Sequence, residues 1–243
     1  MRILRTVALA AGVLLALSSI NRGEAQEISI IQLCEKIEKG LNTKNPGSFN
    51  SIFSNESLVT IKKQYQSFVN LFPNAEWKVV PRKKLKDGRS SVDVLISGTR
   101  QKGSHNFFMN SKQTIAFGLK NKKINSHEIL NHYSILKNSE QGLSLTINVP
   151  ETVLTGSNYD FDIIINKPLD KAIAAGGLIN ISQQQFINFN SPDINLAPMG
   201  GGGLFKTIKA PMNPGKQIWA ALLVHPDGMV SITKLVRIVS NNE

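Results

Sequence analysis

The sequence predicts a two-part fold, in which helices packed in a curved antiparallel sheet are followed by an all-β sandwich. The first observation is a run of three long strands, about Ser90–Gln101, Ser104–Leu119 and Lys122–Leu136, separated by short turns. The second is a set of amphipathic helices ahead of them, which would fill the concave face of long, bent strands. The third is a series of short alternating strands after Leu143. The predicted fold class is α+β for the first part and all-β for the second.

The N-terminal segment has the pattern of a secretory signal peptide. Two arginines precede an apolar run over Val7–Leu17, and small residues end at Ala25. The run is shorter than the about 20 residues that cross a bilayer. We therefore expect cleavage after residues 1–25 and an extracytoplasmic protein, in a periplasm, a lumen or outside the cell. An uncleaved N-terminal membrane anchor is the alternative.

Three helical segments follow the predicted signal. Apolar residues at three- and four-residue steps predict a helix over Gln26–Leu41. Pro46 suits the first turn of a short second helix, and a third helix from Asn55 stops at Pro73. From Glu76 the apolar period changes to two, which predicts a strand ahead of an Asp-Gly hairpin turn. These elements and the three long strands make up the first part.

The second part begins after a linker at Asn138–Gln141. Alternating apolar residues predict six or seven strands and no helix over the last hundred residues or so, which fits an immunoglobulin-like sandwich. Cys34 is the single cysteine, so such a sandwich would lack an internal disulfide. The predicted organisation is a signal peptide at 1–25, an α+β domain at 26–138 and a β-sandwich domain at 139–243.

Element order in the first part resembles the nuclear transport factor 2-like (SnoaL-like) family. The resemblance covers about Glu27–Lys137 and rests on three helices, a four-strand meander and the closing segments Lys123–Ile129 and Tyr133–Leu136. It implies a cone in which a curved sheet wraps the helices. The family includes ketosteroid isomerases, which pair an Asp base with a Tyr and a protonated Asp. Here Asp93 has the opposite strand parity to its apolar neighbours, and no second carboxylate stands where that pattern needs one.

A ligand pocket is predicted inside the cone. Ser111 and Gln113 interrupt an apolar stripe of the second long strand, and a few polar groups in an apolar pocket are typical of binding sites. His132 and Tyr133 on the closing strand could transfer protons. The plainer interpretations are a solvated stretch at 110–114 and ordinary strand residues. The candidate ligand-binding residues are Trp77, Phe107, Met109, Ser111, Gln113, His132 and Tyr133.

Other chemical signatures lead to no predicted catalytic residue, metal site or cofactor. The four histidines and one cysteine are scattered, without zinc-site spacing. The run Gly200–Gly203 is followed by a strand pattern, whereas a phosphate-binding loop opens a helix. Asp160 and Asp162 alternate with apolar residues and suit the solvated face of a strand better than a calcium site.

The formal net charge of +11 predicts an anionic partner. In a meander, the first and third turns lie at the same end of the sheet. Both turns are basic, and the candidate patch comprises Lys83, Lys84, Lys86, Arg89, Lys120, Lys122 and Lys123. An anionic membrane surface or an acidic protein is the expected partner, and solubility is the plainer explanation. Nucleic acid is not expected, because the chain is exported and no aromatic platform accompanies the lysines.

These observations predict an exported, non-enzymatic binding or scaffold protein that assists the assembly of an extracytoplasmic complex. The alternative is a small-molecule enzyme or carrier that uses the cone pocket. A cavity where His132 or Tyr133 meets an acid would favour the enzyme. A cone filled by apolar side chains such as Trp77 and Phe107 would favour the scaffold.

Overall fold

The computed structural model describes residues 29–140, 142–166 and 172–240, so the predicted signal peptide lies outside the described residues. The chain divides into two compact units. In its described residues, the first unit consists of residues 29–100 and 110–132, and the second unit consists of the remaining ones. The domain limits 26–138 and 139–243 stay predictions. In the described part of the chain, no helix has the length and apolar content needed to cross a membrane.

The helices of the first unit lie close to where the sequence places them. They are α1 (Ile30–Asn42), a 3-10 helix (Pro46–Ser51) and α2 (Asn55–Leu71). The apolar face of α1 is buried and includes Cys34, whose pKa burial raises to about 11. The 3-10 helix begins at a proline, and the Asn45 side chain accepts a hydrogen bond from the Gly47 amide at 2.8 Å. The Glu38 side chain of α1 accepts a hydrogen bond from the Val79 amide at 2.8 Å and links α1 to the first strand that follows.

Four strands form a meander in chain order: β1 (Glu76–Pro81), β2 (Ser90–Lys102), β3 (His105–Lys120) and β4 (Lys123–Lys137). β1 pairs antiparallel with β2 and brings Trp77 opposite Ile96. Asn121 and Lys122, between β3 and β4, both have positive φ angles, as a two-residue type I′ hairpin requires. The meander and its turns agree with the sequence prediction.

The second unit contains two packed layers of strands. Its strands after β4 are β5 (Leu145–Asn148), β6 (Thr152–Leu154), β7 (Asn158–Ile165), β8 (Ala174–Ile181), β9 (Ala197–Met199), β10 (Gly203–Lys209), β11 (Gly215–His225) and β12 (Gly228–Val239). One layer runs from the end of β4 through β12, β11 and β8 to β9, and the other has the order β10-β7-β5. Phe161 and Trp219 from opposite layers meet in the core between them.

The predicted fold class, an α+β cone followed by a separate all-β immunoglobulin-like sandwich, is wrong. Of the described residues, 52% lie in strands and 20% in four helices, and the strands include a large antiparallel sheet. The prediction fails at β4, because Tyr133–Lys137 pair with Val230–Lys234 of β12. The strand expected to close a cone is therefore also a strand of the second unit. Unpaired backbone groups on a strand edge accept any strand of suitable register, which a local apolar pattern does not reveal.

The second part is also not all-β, because it contains the short helix α3 (Gln183–Ile187). Ser182 caps this helix: its hydroxyl accepts from the Gln185 amide, and the Gln185 side chain accepts from the Ser182 amide. This capping box was readable as Ser-x-x-Gln in the sequence. The apolar pattern gives no sign of this helix, because its five residues are too few to form an apolar stripe.

Candidate functional site

A cavity of about 40 Å³ lies inside the first unit, between the helices and the meander. Most of its wall is aliphatic and aromatic, with α1 contributing Ile37 and Leu41 and β2 contributing Val94. Gln113 and His127 are the polar side chains that β3 and β4 add to this wall. The arrangement is a small apolar cavity with a few polar groups in its wall.

His127 is the distinctive residue of this cavity. Its side chain is buried, with the residue 6% exposed, and it lines the cavity. Neither ring nitrogen has a hydrogen-bond partner among the described residues. Burial lowers the pKa of His127 to about 4, because the apolar wall disfavours the charged imidazolium. At neutral pH the ring is therefore uncharged, with one donor and one acceptor nitrogen that the surrounding protein encloses.

The other polar groups near the cavity already have partners. Gln113 Nε2 lies 3.1 Å from His132 Nδ1, and both residues are buried. The Tyr65 hydroxyl donates to the Leu41 carbonyl at 2.5 Å, and burial raises the pKa of Tyr65. These two hydrogen bonds fix the Tyr65 and Gln113 side chains. They leave His127 as the polar group on the cavity wall with both nitrogens unsatisfied.

The predicted pocket residues are divided between the two units. In the first unit, Trp77 and Gln113 line the cavity, whereas Ser111 and His132 are buried without lining it. The others belong to the second unit. There Phe107 and Met109 are buried, and Tyr133 packs partly buried against the core of that unit.

Sequence reasoning found the elements around the cavity better than the cavity itself. Apolar spacing in the sequence places Phe49, Ile61 and Tyr65 on the apolar faces of the helices, and all three line the cavity. A helical stripe predicts burial but not which buried side chains leave space between them. For His127, the available signal was its two-residue spacing from Ile129, which places both on the buried face of β4.

The basic patch lies on the two turns at one end of the meander. Arg89 is neutralised, since its guanidinium pairs with Asp87 at 2.6 Å and with Glu128 at 2.8 Å. Among the described residues, no carboxylate lies within ion-pair distance of Lys83, Lys86, Lys120, Lys122 or Lys123. All are exposed except the half-buried Lys123. We call the remaining set the lysine cluster: Lys83, Lys84, Lys86, Lys120, Lys122 and Lys123.

Asp93 is not part of the cavity. Its carboxylate accepts a hydrogen bond from Thr114 at 2.7 Å and pairs with Arg82 at 3.0 Å and Lys112 at 3.1 Å. Burial raises the pKa of Asp93, but these partners outweigh burial and the pKa falls below its usual range. Over the described ranges, no group of three or more His, Cys, Asp or Glu side chains is placed to hold a metal ion.

Comparison with known proteins gives a family-model match over the second part of the chain. A family model described as a domain of unknown function (DUF8623) matches residues 140–239, which covers most of the second unit. No curated protein matches the chain. No nuclear transport factor 2-like or immunoglobulin-like family model matches either, so those resemblances stay predictions.

Proposed function

We propose that this chain is an exported, non-enzymatic scaffold protein that binds an anionic membrane surface through the lysine cluster and assists assembly of an extracytoplasmic complex there. The observation that supports the proposal best is the gathering of six lysines on two turns that are far apart in the sequence. Each lysine near an anionic membrane surface contributes about 1 kcal/mol of attraction. Several lysines together are enough for reversible, salt-sensitive binding.

The composition of the cluster favours a membrane over a protein partner. Cores of protein interfaces are enriched in aromatic residues and arginine and depleted in lysine. The two turns, residues 82–89 and 120–122, contain no aromatic residue. Arg89 is engaged by Asp87 and Glu128. Exposed lysines act as strongly hydrated point charges, which suits a diffuse layer of lipid headgroups.

The cavity supports a binding role more than a catalytic one. A general base works best when its pKa lies near the operating pH and when a second group orients it. The pKa of His127 is about 4, and its ring has no orienting partner among the described residues. Asp93 is held by three partners on another face. This histidine is therefore poorly suited to proton transfer at neutral pH.

Co-sedimentation with vesicles tests the membrane role. The purified exported protein should bind phosphatidylglycerol-containing vesicles and not pure phosphatidylcholine vesicles, and 0.5 M salt should abolish binding, because it shortens the Debye length to about 4 Å. Charge reversal of Lys83, Lys86, Lys120 and Lys122 to Glu should weaken binding at least tenfold.

A matched variant separates the lysine cluster from net charge. Reversal of Lys63, Lys78, Lys206 and Lys209, which are exposed elsewhere, changes the net charge equally and should have a much smaller effect. If both variants lose vesicle binding equally, net charge and not the lysine cluster would determine the binding. The cluster would then serve solubility only. Binding to polyglutamate but not to vesicles would indicate that the partner is an acidic protein and not a membrane.

Export itself is checked separately. Mass spectrometry of the protein recovered from the extracytoplasmic fraction should give an N-terminus within a few residues of Gln26. Full-length chain in the membrane fraction would instead support the N-terminal anchor.

A further inference from the structure

Strand β10 of the second unit forms one edge of the three-stranded sheet β10-β7-β5. The Ala210 amide, just after β10, donates to the Ser157 carbonyl at 2.8 Å. Because hydrogen bonding alternates along an antiparallel pair, the even-numbered residues of β10 bond to β7, and the backbone groups of Phe205 and Thr207 point away from it. In the described part of the chain, no strand pairs with that side of β10.

The outer face of β10 carries an exposed aromatic ring beside a carboxylate. Phe205 is 57% exposed and lies opposite Asp162 of β7. Its ring lies over Gly203, since a Cβ atom at that glycine would be 2.9 Å from Phe205 Cζ. The Asp162 side chain is partly exposed and has no ion-pair or hydrogen-bond partner among the described residues. An aromatic face next to an unpaired carboxylate is suited to binding a cation.

The local charges favour an arginine at this place. Lys206 has the opposite strand parity to Phe205, and Lys209 lies at the far end of β10, so the charge nearest to Phe205 on its own face is that of Asp162. The chain carries a net charge of +11, so general electrostatic attraction does not bring a basic segment here. Specific contacts must hold it. A guanidinium stacks on an aromatic ring and pairs with a carboxylate through its planar fork, whereas a lysine ammonium is a strongly hydrated point charge.

We infer that β10 is a docking edge for an extended segment of a partner protein, and that this segment places an arginine over Phe205 and against Asp162. The segment adds to the sheet as an antiparallel strand, bonded to the backbone of Phe205 and Thr207. Neighbouring strands lie about 4.8 Å apart, so the arginine backbone opposite Phe205 is two strand spacings, about 10 Å, from that of Asp162. An extended arginine side chain crosses the Phe205 ring and meets the carboxylate over this distance. The lysine cluster takes no part, so failure of vesicle binding would leave this inference untouched.

A titration followed by NMR tests the docking edge on the ¹⁵N-labelled full-length mature protein, without lipid. The probe is the pentapeptide Thr-Val-Arg-Val-Thr with both ends capped. It should cause saturable shifts of the Phe205 and Thr207 amides, and its affinity should exceed that of the same peptide with Gln for Arg by at least about fivefold. N-methylation of the peptide's arginine should abolish binding, because that N–H faces β10. N-methylation of the following valine should be tolerated, because its N–H points away.

Variants of the protein locate the arginine contact. Phe205→Leu and Asp162→Asn should each remove most of the preference for Arg over Gln. Asp227→Asn, at an exposed aspartate of another hairpin, should keep it. If a variant does not fold, the peptide series on the wild-type protein still decides. The inference would be overturned by the absence of saturable shifts, by equal affinities for the Arg and Gln peptides, or by equal effects of the two N-methylations.

Discussion

The Arg89 guanidinium donates to the Glu128 carboxylate at 2.8 Å and ties the turn between β1 and β2 to strand β4, 39 residues away. The same guanidinium holds Asp87 within its own turn. The first of these bonds links the turn that carries Lys83, Lys84 and Lys86 to the strand that begins at Lys123. They also place two carboxylates beside the cluster, which lowers its positive potential.

The substitution Glu128→Gln should therefore separate stability from binding. Removing the ion pair should lower the free energy of unfolding by less than about 1 kcal/mol, because both side chains are partly exposed. Removing the negative charge should raise the affinity for anionic vesicles. Urea unfolding and vesicle co-sedimentation measure the two effects. The matched control is Glu76→Gln, at an exposed position of β1. Weaker vesicle binding by Glu128→Gln would contradict the electrostatic account.

Buried His127 should make stability depend on pH between about 4 and 6.5. Its pKa is about 4 when folded, against 6.5 as the ordinary value, so the unfolded chain binds the extra proton within this window. The contribution of neutral His127 is fully present above pH 6.5 and is lost as the pH falls. Its expected size is about 3 kcal/mol, from about 1.4 kcal/mol per pKa unit.

Urea unfolding at a series of pH values tests this, with His127→Phe as the comparison. The variant should show a flatter profile from pH 6.5 to 4, whereas His105→Phe should follow the wild type. Parallel profiles for wild type and His127→Phe would mean that the ring is not buried in its neutral form.

Gly177 should tolerate no side chain. A Cβ atom at this position of β8 would lie 2.2 Å from the Asn195 carbonyl oxygen and 2.6 Å from the Ile194 side chain. Gly177→Ala must push the segment before β9 away, and overpacking of this kind costs about 1–3 kcal/mol. Gly200→Ala is the control, since nothing lies within 4 Å of its Cβ. Thermal unfolding should show a clear fall in Tm for the first variant alone, and equal Tm values would disprove the close approach.

Asp93→Asn should destabilise the first unit at neutral pH by about 1 kcal/mol or more, because it removes a carboxylate bonded to Thr114, Arg82 and Lys112. The folded pKa of Asp93 lies below the unfolded one. The stabilisation is thus present above the unfolded pKa and disappears as the pH falls through the folded pKa. Urea unfolding at pH 7 and at pH 2.5 should show that the difference in unfolding free energy between the wild type and Asp93→Asn is smaller at pH 2.5. Asp162→Asn is the control variant. If Asp93→Asn remains equally destabilised at pH 2.5, the effect would come from packing and not from the charge of Asp93.

Much of the local structure was predictable from particular residues. Pro46, the Asp-Gly turn and the period change at Glu76 located the short helix, the hairpin and the start of the sheet. Alternation of turns along a meander predicted that Lys86 and Lys120 share one end. The cavity was only partly predictable, because the predicted set included Trp77 and Gln113 but also Phe107 and Tyr133, which belong to the other unit.

Local sequence patterns predicted the order and type of the elements from α1 to β4, since apolar period and turn chemistry are properties of neighbouring residues, but they did not predict the short helix α3. Tertiary structure alone decided which strand pairs with the end of β4. That pairing joins Tyr133–Lys137 to β12, about a hundred residues later, and the choice depends on register and long-range packing. It also decided that His127 faces an apolar cavity without a partner while His132 meets Gln113. Two histidines five residues apart thus differ because their surroundings come from distant parts of the chain.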